Sequence, residues 1–304
     1  MSFSSDVKAE LCKAAPGKRC CAIAQCFGIL LYCNTFTSDG IRIVTESREL
    51  AAMLPRLFQK AFGFGFDSQP DGREGSKQLF FLQDPKKLQK ILSAFGFAPK
   101  ETVALHVNLS VLEEECCKVS FLRGAFLAGG SVTDPAKGYH LELLTSHLAV
   151  SRETYALIEE TVGFYPKQTR RAGNSILYFK QSNLIEDFLT KLGAPVCAMG
   201  IMEAKLEKEL NNQVNRCCNC DEANTSKVVD ASMRQLAAIR VLESAGVLDS
   251  LKPRLRQAAM ARLENPEANL TELGEMMEPP ITKSTMNHRL QQLQTLAREL
   301  EAKA

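Results

Sequence analysis

The side chains best suited to chemistry lie near the C-terminal end of the 304-residue chain. Lys283, Ser284, Thr285, Asn287, His288 and Arg289 follow Thr282, a residue type that caps helices. Leu290, Leu293, Leu296, Ala297 and Leu300 then continue at helical spacing, which predicts one long helix from Lys283 to Ala302. In the first turn of such a helix, Asn can pair bidentately with adenine and Arg with guanine. From Pro279 to Arg298 there are three basic residues, Lys283, Arg289 and Arg298, and no acid. The solvated face of an ordinary helical bundle has similar polarity, so the preceding element decides between the two readings. Asn269 is placed to cap a short helix, Leu270 to Met277, which Glu278-Pro279-Pro280 ends. A short helix, a tight turn and a longer helix with a polar first turn describe a helix-turn-helix, whose second helix enters the major groove of duplex DNA.

Two further groups could do chemistry. Residues 163–180 carry Lys167, Arg170, Arg171 and Lys180 with Tyr165 and Tyr178, and no acid. They suit contact with phosphates, or equally a solvated loop and strand edge. Cys217 and Cys220 have the C-x-x-C spacing of a zinc half-site, but a structural zinc needs four ligands, and neither a second such pair nor a nearby His is present. These thiols are expected to pack instead. The chain lacks the G-x-x-x-x-G-K-[ST] loop that cradles nucleotide phosphates. No catalytic residue, metal or cofactor is expected.

Composition bounds the chain that positions these groups. Apolar residues make up 45% and charged residues 24%, which excludes disorder for most of the chain. The 37 Lys and Arg against 35 Asp and Glu leave a net charge of +2, so any basic surface must be local. The longest largely apolar stretch, Cys20 to Cys33, is broken by Gln25 and falls short of the ~20 residues a spanning helix needs. The N-terminus mixes acids and bases ahead of any apolar run, unlike a secretory signal. Eleven cysteines, an odd number with three adjacent pairs, do not make a disulfide framework. Reduced, mostly buried thiols in a cytoplasmic protein are the expectation.

The first two thirds repeat. Cys20-Cys21 precedes Gly28 by eight positions, and Cys116-Cys117 precedes Gly124 by the same eight. Each segment leads to a strand-like run, Ile41–Ser47 and Tyr139–Ser146, and then to an amphipathic helix. A further strand and helix close each copy, at Gln78–Phe97 and Ile176–Ala194, with Asp84 and Ser182 as N-cap candidates and Gly96 and Gly193 as C-cap candidates. The unit is α-β-β-α-β-(β)-α, duplicated. The glycine-containing helices should meet at a pseudo-twofold axis, because glycine lets helix backbones approach closely. The two sheets would form a saddle wide enough for a duplex. After the repeat, Ile201–Asn215 reads as a charged helix. Thr225 or Ser226 would cap a new helix from Val228 to Ala245, Gly246 would stop it, and another would run from Pro253 to Leu263.

Leu122–Gly130, LRGAFLAGG, resembles the LAGLIDADG helix of homing endonucleases, with Cys26–Asn34 as a weaker first copy. In that family an acid near the end of each motif helps hold the catalytic divalent metal, and those positions fall on Cys33 and Gly129. Neither is a carboxylate. Asp39 and Asp134, a few residues downstream, are poor substitutes. Asn215–Ser232 and Asn265–Leu293 behind such a region resemble the WhiA family of bacterial regulators over essentially the whole chain. The sharpest matches are Asn215-Arg216, Asn219-Cys220, Leu273-Gly274-Glu275 and Asn287-His288-Arg289-Leu290. The resemblance implies an α+β fold, a duplicated LAGLIDADG-like αββαββα saddle followed by an all-α helix-turn-helix domain. It also implies a non-catalytic regulator of cell division and chromosome segregation, and of sporulation in spore-forming actinomycetes. The expected organisation is two halves at 1–105 and 106–200, a linker at 201–226, and the helix-turn-helix domain at 227–304. Double-stranded DNA is the expected partner, with other transcription or cell-division proteins as further candidates. A metal-dependent endonuclease and a protein-docking adaptor are the alternatives.

Overall fold

The computed structural model describes residues 2–14, 16–70, 77–97 and 105–302. It divides into two compact units, Met1–Lys208 and Glu209–Ala304. The first unit opens with α1 (Phe3–Lys13), capped by the Ser2 side chain. Its first half follows as α2 (Arg19–Tyr32), β1 (Thr35–Phe36), β2 (Ile41–Thr45), α3 (Arg48–Phe62), β3 (Gln78–Leu82) and α4 (Pro85–Ala94). The second half repeats the order as α5 (Glu115–Gly129), β4 (Gly130–Val132), β5 (Leu141–Thr145), α6 (Leu148–Val162), β6 (Lys167–Arg171), β7 (Asn174–Phe179) and α7 (Ser182–Leu192).

Local chemistry explains the matching boundaries. Asp84 accepts from the Lys86 amide at 2.9 Å with Pro85 in the first turn. Gly63 and Gly163 end α3 and α6 in the left-handed region, with φ of +85° and +81°. Gln181, rather than the expected Ser182, occupies the N-cap of α7, and Ser182 is its first helical residue.

Both sheets are antiparallel, with order β1-β2-β3 in the first half and β4-β5-β7-β6 in the second. Period-two alternation sends Ile41, Ile43 and Thr45 of β2, and Leu141, Leu143 and Thr145 of β5, into the core. In the first half Ser68 bridges Phe81 on the outer side of β3, the position that β6 holds in the second.

α2 and α5 cross where the repeat places its glycines. A Cβ on Gly28 would stand 2.1 Å from the Phe121 carbonyl oxygen, and a Cβ on Gly124 would stand 2.1 Å from that of Gln25. Each glycine is thus the socket for the other helix's backbone, and no other residue fits either position. Phe27 of α2 stacks on Phe95 at 4.4 Å between ring centroids and meets Phe121 of α5 edge-on at 5.6 Å, so the crossing sits inside the core. Arg123 is consumed there. Its Nε donates to the Leu192 carbonyl at 2.7 Å and one terminal nitrogen to that of Ala14 at 2.9 Å, tying α5 to the ends of α7 and α1.

The last third departs from expectation at its start. The helix expected at Ile201–Asn215 does not end there, and neither Thr225 nor Ser226 caps a new one. Residues 201–226 belong to one continuous helix, α8 (Pro195–Ser244). The Thr225 hydroxyl donates back to the Asp221 carbonyl at 2.9 Å, as a mid-helix threonine does. Cys217, Cys218 and Cys220 are exposed on this helix rather than packed. Across the chain only Cys21, Cys26 and Cys117 are fully buried, fewer than expected. Gly246 stops the helix as anticipated, with φ of +67°. The second unit then adds α9 (Pro253–Glu264), α10 (Leu270–Glu275) and α11 (Lys283–Glu301). Its core gathers Ile239 and Leu242 of α8, Ala258 and Ala259 of α9, Leu273 of α10, and Met286, Leu290 and Leu293 of α11.

Candidate nucleic-acid interface

α10 and α11 are each fixed by a capping residue read from the sequence. Asn269 accepts from the Thr271 and Glu272 amides at 2.9 and 3.1 Å, while Glu272 returns the bond to the Asn269 amide at 2.7 Å. This reciprocal capping box satisfies amides that the helix start leaves free. Thr282 accepts from the Thr285 amide and starts α11. Between them the chain closes tightly, because the Ile281 amide donates to the Gly274 carbonyl at 2.9 Å. A Cβ on Gly274 would lie 2.4 Å from the Ile281 carbonyl oxygen, so glycine is what permits the turn. Ser232 of α8 donates to the Pro266 carbonyl at 2.6 Å, and the buried Arg262 donates to that of Ala268 at 2.6 Å, which anchors the loop ahead of α10.

Met286, Leu290, Leu293 and Ala297 bury one side of α11. Helical spacing then turns Ser284, His288, Gln291 and Thr295 directly away from the core, and all four are exposed. Lys283 and Thr285 are exposed as well, whereas Asn287 and Arg289 lie half-buried along the two flanks. The structure therefore brings the six predicted residues onto one end of one helix, but with unequal reach. His288 is held by Gln292 at 3.1 Å, a side chain the sequence reading did not single out. Its signal was there, since residues four apart share a helix face. Among the described residues, Lys283 and Arg289 have no acidic partner.

The other predicted cations lie in the first unit. Lys167, Arg170 and Arg171 are exposed on β6, the outer strand of its sheet, and none pairs with an acid among the described residues. Register separates them by face. Lys167 lies beside Tyr178 and Arg171 beside Asn174, on the sheet face turned from the helices, whereas Arg170 lies beside Ser175 on the opposite face. Lys180 sits 5.6 Å above the Tyr178 ring and extends the same patch. In the first half, Arg42 lies over the Phe81 ring at 6.0 Å on the open face of its sheet. The sequence offered no acid-free run to mark it.

The ends of α2 and α5 open on a cavity of about 670 Å³, where the acids of a homing endonuclease would meet. Cys33 donates to the Leu30 and Thr35 carbonyls at 3.2 and 3.4 Å. Burial, offset only in part by backbone contacts, pushes its thiol up to about 12. Gly129 has no room for any side chain, since its Cβ would stand 2.5 Å from the Leu144 carbonyl oxygen and 2.7 Å from the Tyr32 ring. Asp39 and Asp134 do not line the cavity. Among the described residues, the one carboxylate that does is Glu46, which faces Lys77 at 3.8 Å. A single carboxylate beside a lysine is not the cluster that gathers Mg²⁺.

The family model for the WhiA C-terminal HTH domain matches residues 214–297, and that for the WhiA LAGLIDADG-like domain matches 118–211. A probable cell division protein WhiA from Ruminiclostridium cellulolyticum is 35% identical over 310 residues, covering 99% of this chain and 98% of that protein. The chain belongs to the WhiA family. A second WhiA relative, from Alkaliphilus oremlandii, is 34% identical over 315 residues and covers 99% and 98% of the two chains. The crystal structure of full-length WhiA from Thermatoga maritima shares the fold, with a TM-score of 0.60 at 24% identity over 98% of this chain and 99% of that one. Among the described residues, no helix is long and apolar enough to cross a membrane.

Proposed function

We propose that this WhiA chain is a sequence-specific DNA-binding regulator of cell division and chromosome segregation, acting in the cytoplasm at the nucleoid. α11 reads the major groove, with Ser284 and His288 facing the base edges, Lys283 and Thr285 on the adjacent phosphates, and Asn287 and Arg289 reaching bases from the flanks. The observation that carries this reading is the first turn of α11, a row of exposed polar and cationic side chains set against α10 by the tight turn at Gly274. The LAGLIDADG-like unit is non-catalytic and adds phosphate contacts through Lys167, Arg170 and Arg171. Residues 1–200 carry the duplicated scaffold, and 227–304 act as the reader.

The test is genome-wide mapping of bound DNA, followed by footprinting on the sites found. Loss of site preference in His288→Ala and Ser284→Ala, with Lys283→Ala weakening all duplexes alike, supports the assignment. Undiminished site-specific binding in all three variants overturns it. The endonuclease alternative is met by incubation with duplex DNA and Mg²⁺ or Mn²⁺. Strand cleavage that co-purifies with the chain would overturn the non-catalytic reading of Cys33 and Gly129. An adaptor working through protein contacts alone predicts no DNA retention even at low salt.

A further inference from the structure

The two cysteine pairs that mark the repeat are brought face to face by the crossing at Gly28 and Gly124. Cys20 and Cys21 lie in the first turn of α2, and Cys116 and Cys117 in the first turn of α5. The sulfurs of Cys20, Cys21 and Cys117 all lie within 4.8 Å of one another. The Cys116 sulfur lies 3.4 Å from that of Cys21. We propose that Cys20, Cys21, Cys116 and Cys117 form a thiolate site for a thiophilic divalent metal ion, Zn²⁺, which ties the first turns of the two pseudo-symmetric helices together.

The geometry suits such an ion. Four sulfurs at the Zn–S distance of about 2.3 Å stand roughly 3.8 Å apart in a tetrahedron, so the cluster needs only small side-chain rotations. Cys116 completes the set by turning about its exposed χ1. Cys21 and Cys117 are buried while Cys20 and Cys116 are exposed, which gives a held inner pair and an entry path from solvent. Neither Lys18 nor Glu114, the N-cap residues, makes a side-chain capping bond, so the first-turn amides of both helices keep their partial positive charge for the thiolates. Binding is ligand exchange without electron transfer. Each thiol gives its proton to solvent, and the metal gives up bound water.

The experiment uses the full chain with Cys217→Ser, Cys218→Ser and Cys220→Ser, which removes the exposed thiols of α8. Reduced protein is titrated with Co²⁺ as a spectroscopic probe and then with Zn²⁺. One Co²⁺ per chain is expected, with the intense visible bands and near-ultraviolet thiolate charge transfer of a tetrahedral sulfur site, displaced by one Zn²⁺. Cys20→Ser with Cys117→Ser should abolish the signal while far-ultraviolet circular dichroism stays unchanged. If that variant does not fold, Cys116→Ser alone, altered at an exposed position, should weaken binding at least tenfold and change the bands to those of a site with fewer thiolates. A spectrum of hexaaqua Co²⁺ with the folded parent, or a thiolate spectrum unchanged by the folded variants, overturns the proposal. So does a parent that forms a Cys21–Cys116 disulfide and binds no metal after full reduction.

Discussion

At the scale of single residues, the contrast between Ser284, His288 and Arg289 sharpens what the sequence could say. Residue types alone favour Arg289 as the base reader, whereas burial places it on a flank and sends Ser284 and His288 straight outward. Arg289→Ala should still lower specific affinity by about 1–3 kcal/mol and relax one base preference, measured by competition with single-base operator variants. Gly129 allows a stricter statement. Gly129→Asp supplies the carboxylate that a nuclease would need, yet its Cβ would lie 2.5 Å from a backbone oxygen. The expected outcome is lost thermal stability, by about 1–3 kcal/mol or more, and no gain of cleavage. Folded, reduced and metal-free chain treated with iodoacetamide at neutral pH should alkylate at Cys20 well before Cys33. Cys20 is exposed and holds its proton less tightly than a free thiol, whereas Cys33 is covered and pushed up to about 12. Peptide mass spectrometry of the labelled chain checks the order.

At the scale of elements, punctuation was legible and continuity was not. The caps at Asp84, Asn269 and Thr282 and the stops at Gly96, Gly193 and Gly246 stand where turn chemistry placed them. α8 was divided too early because Asn219, Asn224 and Thr225 are poor helix formers that also suit caps. The contrary signal is the absence of any Gly or Pro from Ile201 to Ala245, which leaves nothing to break the helix. The doubled cysteines were visible in both copies. The meeting of the helices that carry them was legible from Gly28 and Gly124, and the reciprocal glycine sockets fix which turns come together. The turn between α10 and α11 gives the element-scale prediction. Gly274→Ala inserts a methyl group 2.4 Å from the Ile281 carbonyl oxygen, and the chain must open to admit it. The second unit should lose about 1–3 kcal/mol in urea unfolding, and specific DNA binding should fall further than stability accounts for, because α11 is displaced from α10.

At the scale of the molecule, a net charge of +2 conceals two basic stretches without an acid in their sequence, 163–180 and 279–298, one in each unit. If both touch phosphate, affinity must fall with salt by an increment that counts the contacts. Removing Lys167 and Arg171 together should reduce the slope of log affinity against log salt by about 2 without changing which sequence is preferred. A slope equal to that of the parent would remove β6 from the interface and leave DNA recognition to α11 alone.

β6 has another consequence, which concerns the protein before it meets DNA. As the outer strand of its sheet it offers a row of backbone donors and acceptors that a second chain could extend into a shared sheet. Its side chains read Lys-Gln-Thr-Arg-Arg, all exposed, so two such strands approaching edge to edge would press like charges together. The cations proposed to meet a phosphate backbone would thus also oppose edge-to-edge pairing of free molecules. Variants that neutralise them should become sticky as they lose affinity, with light scattering rising at concentrations where the parent stays clear.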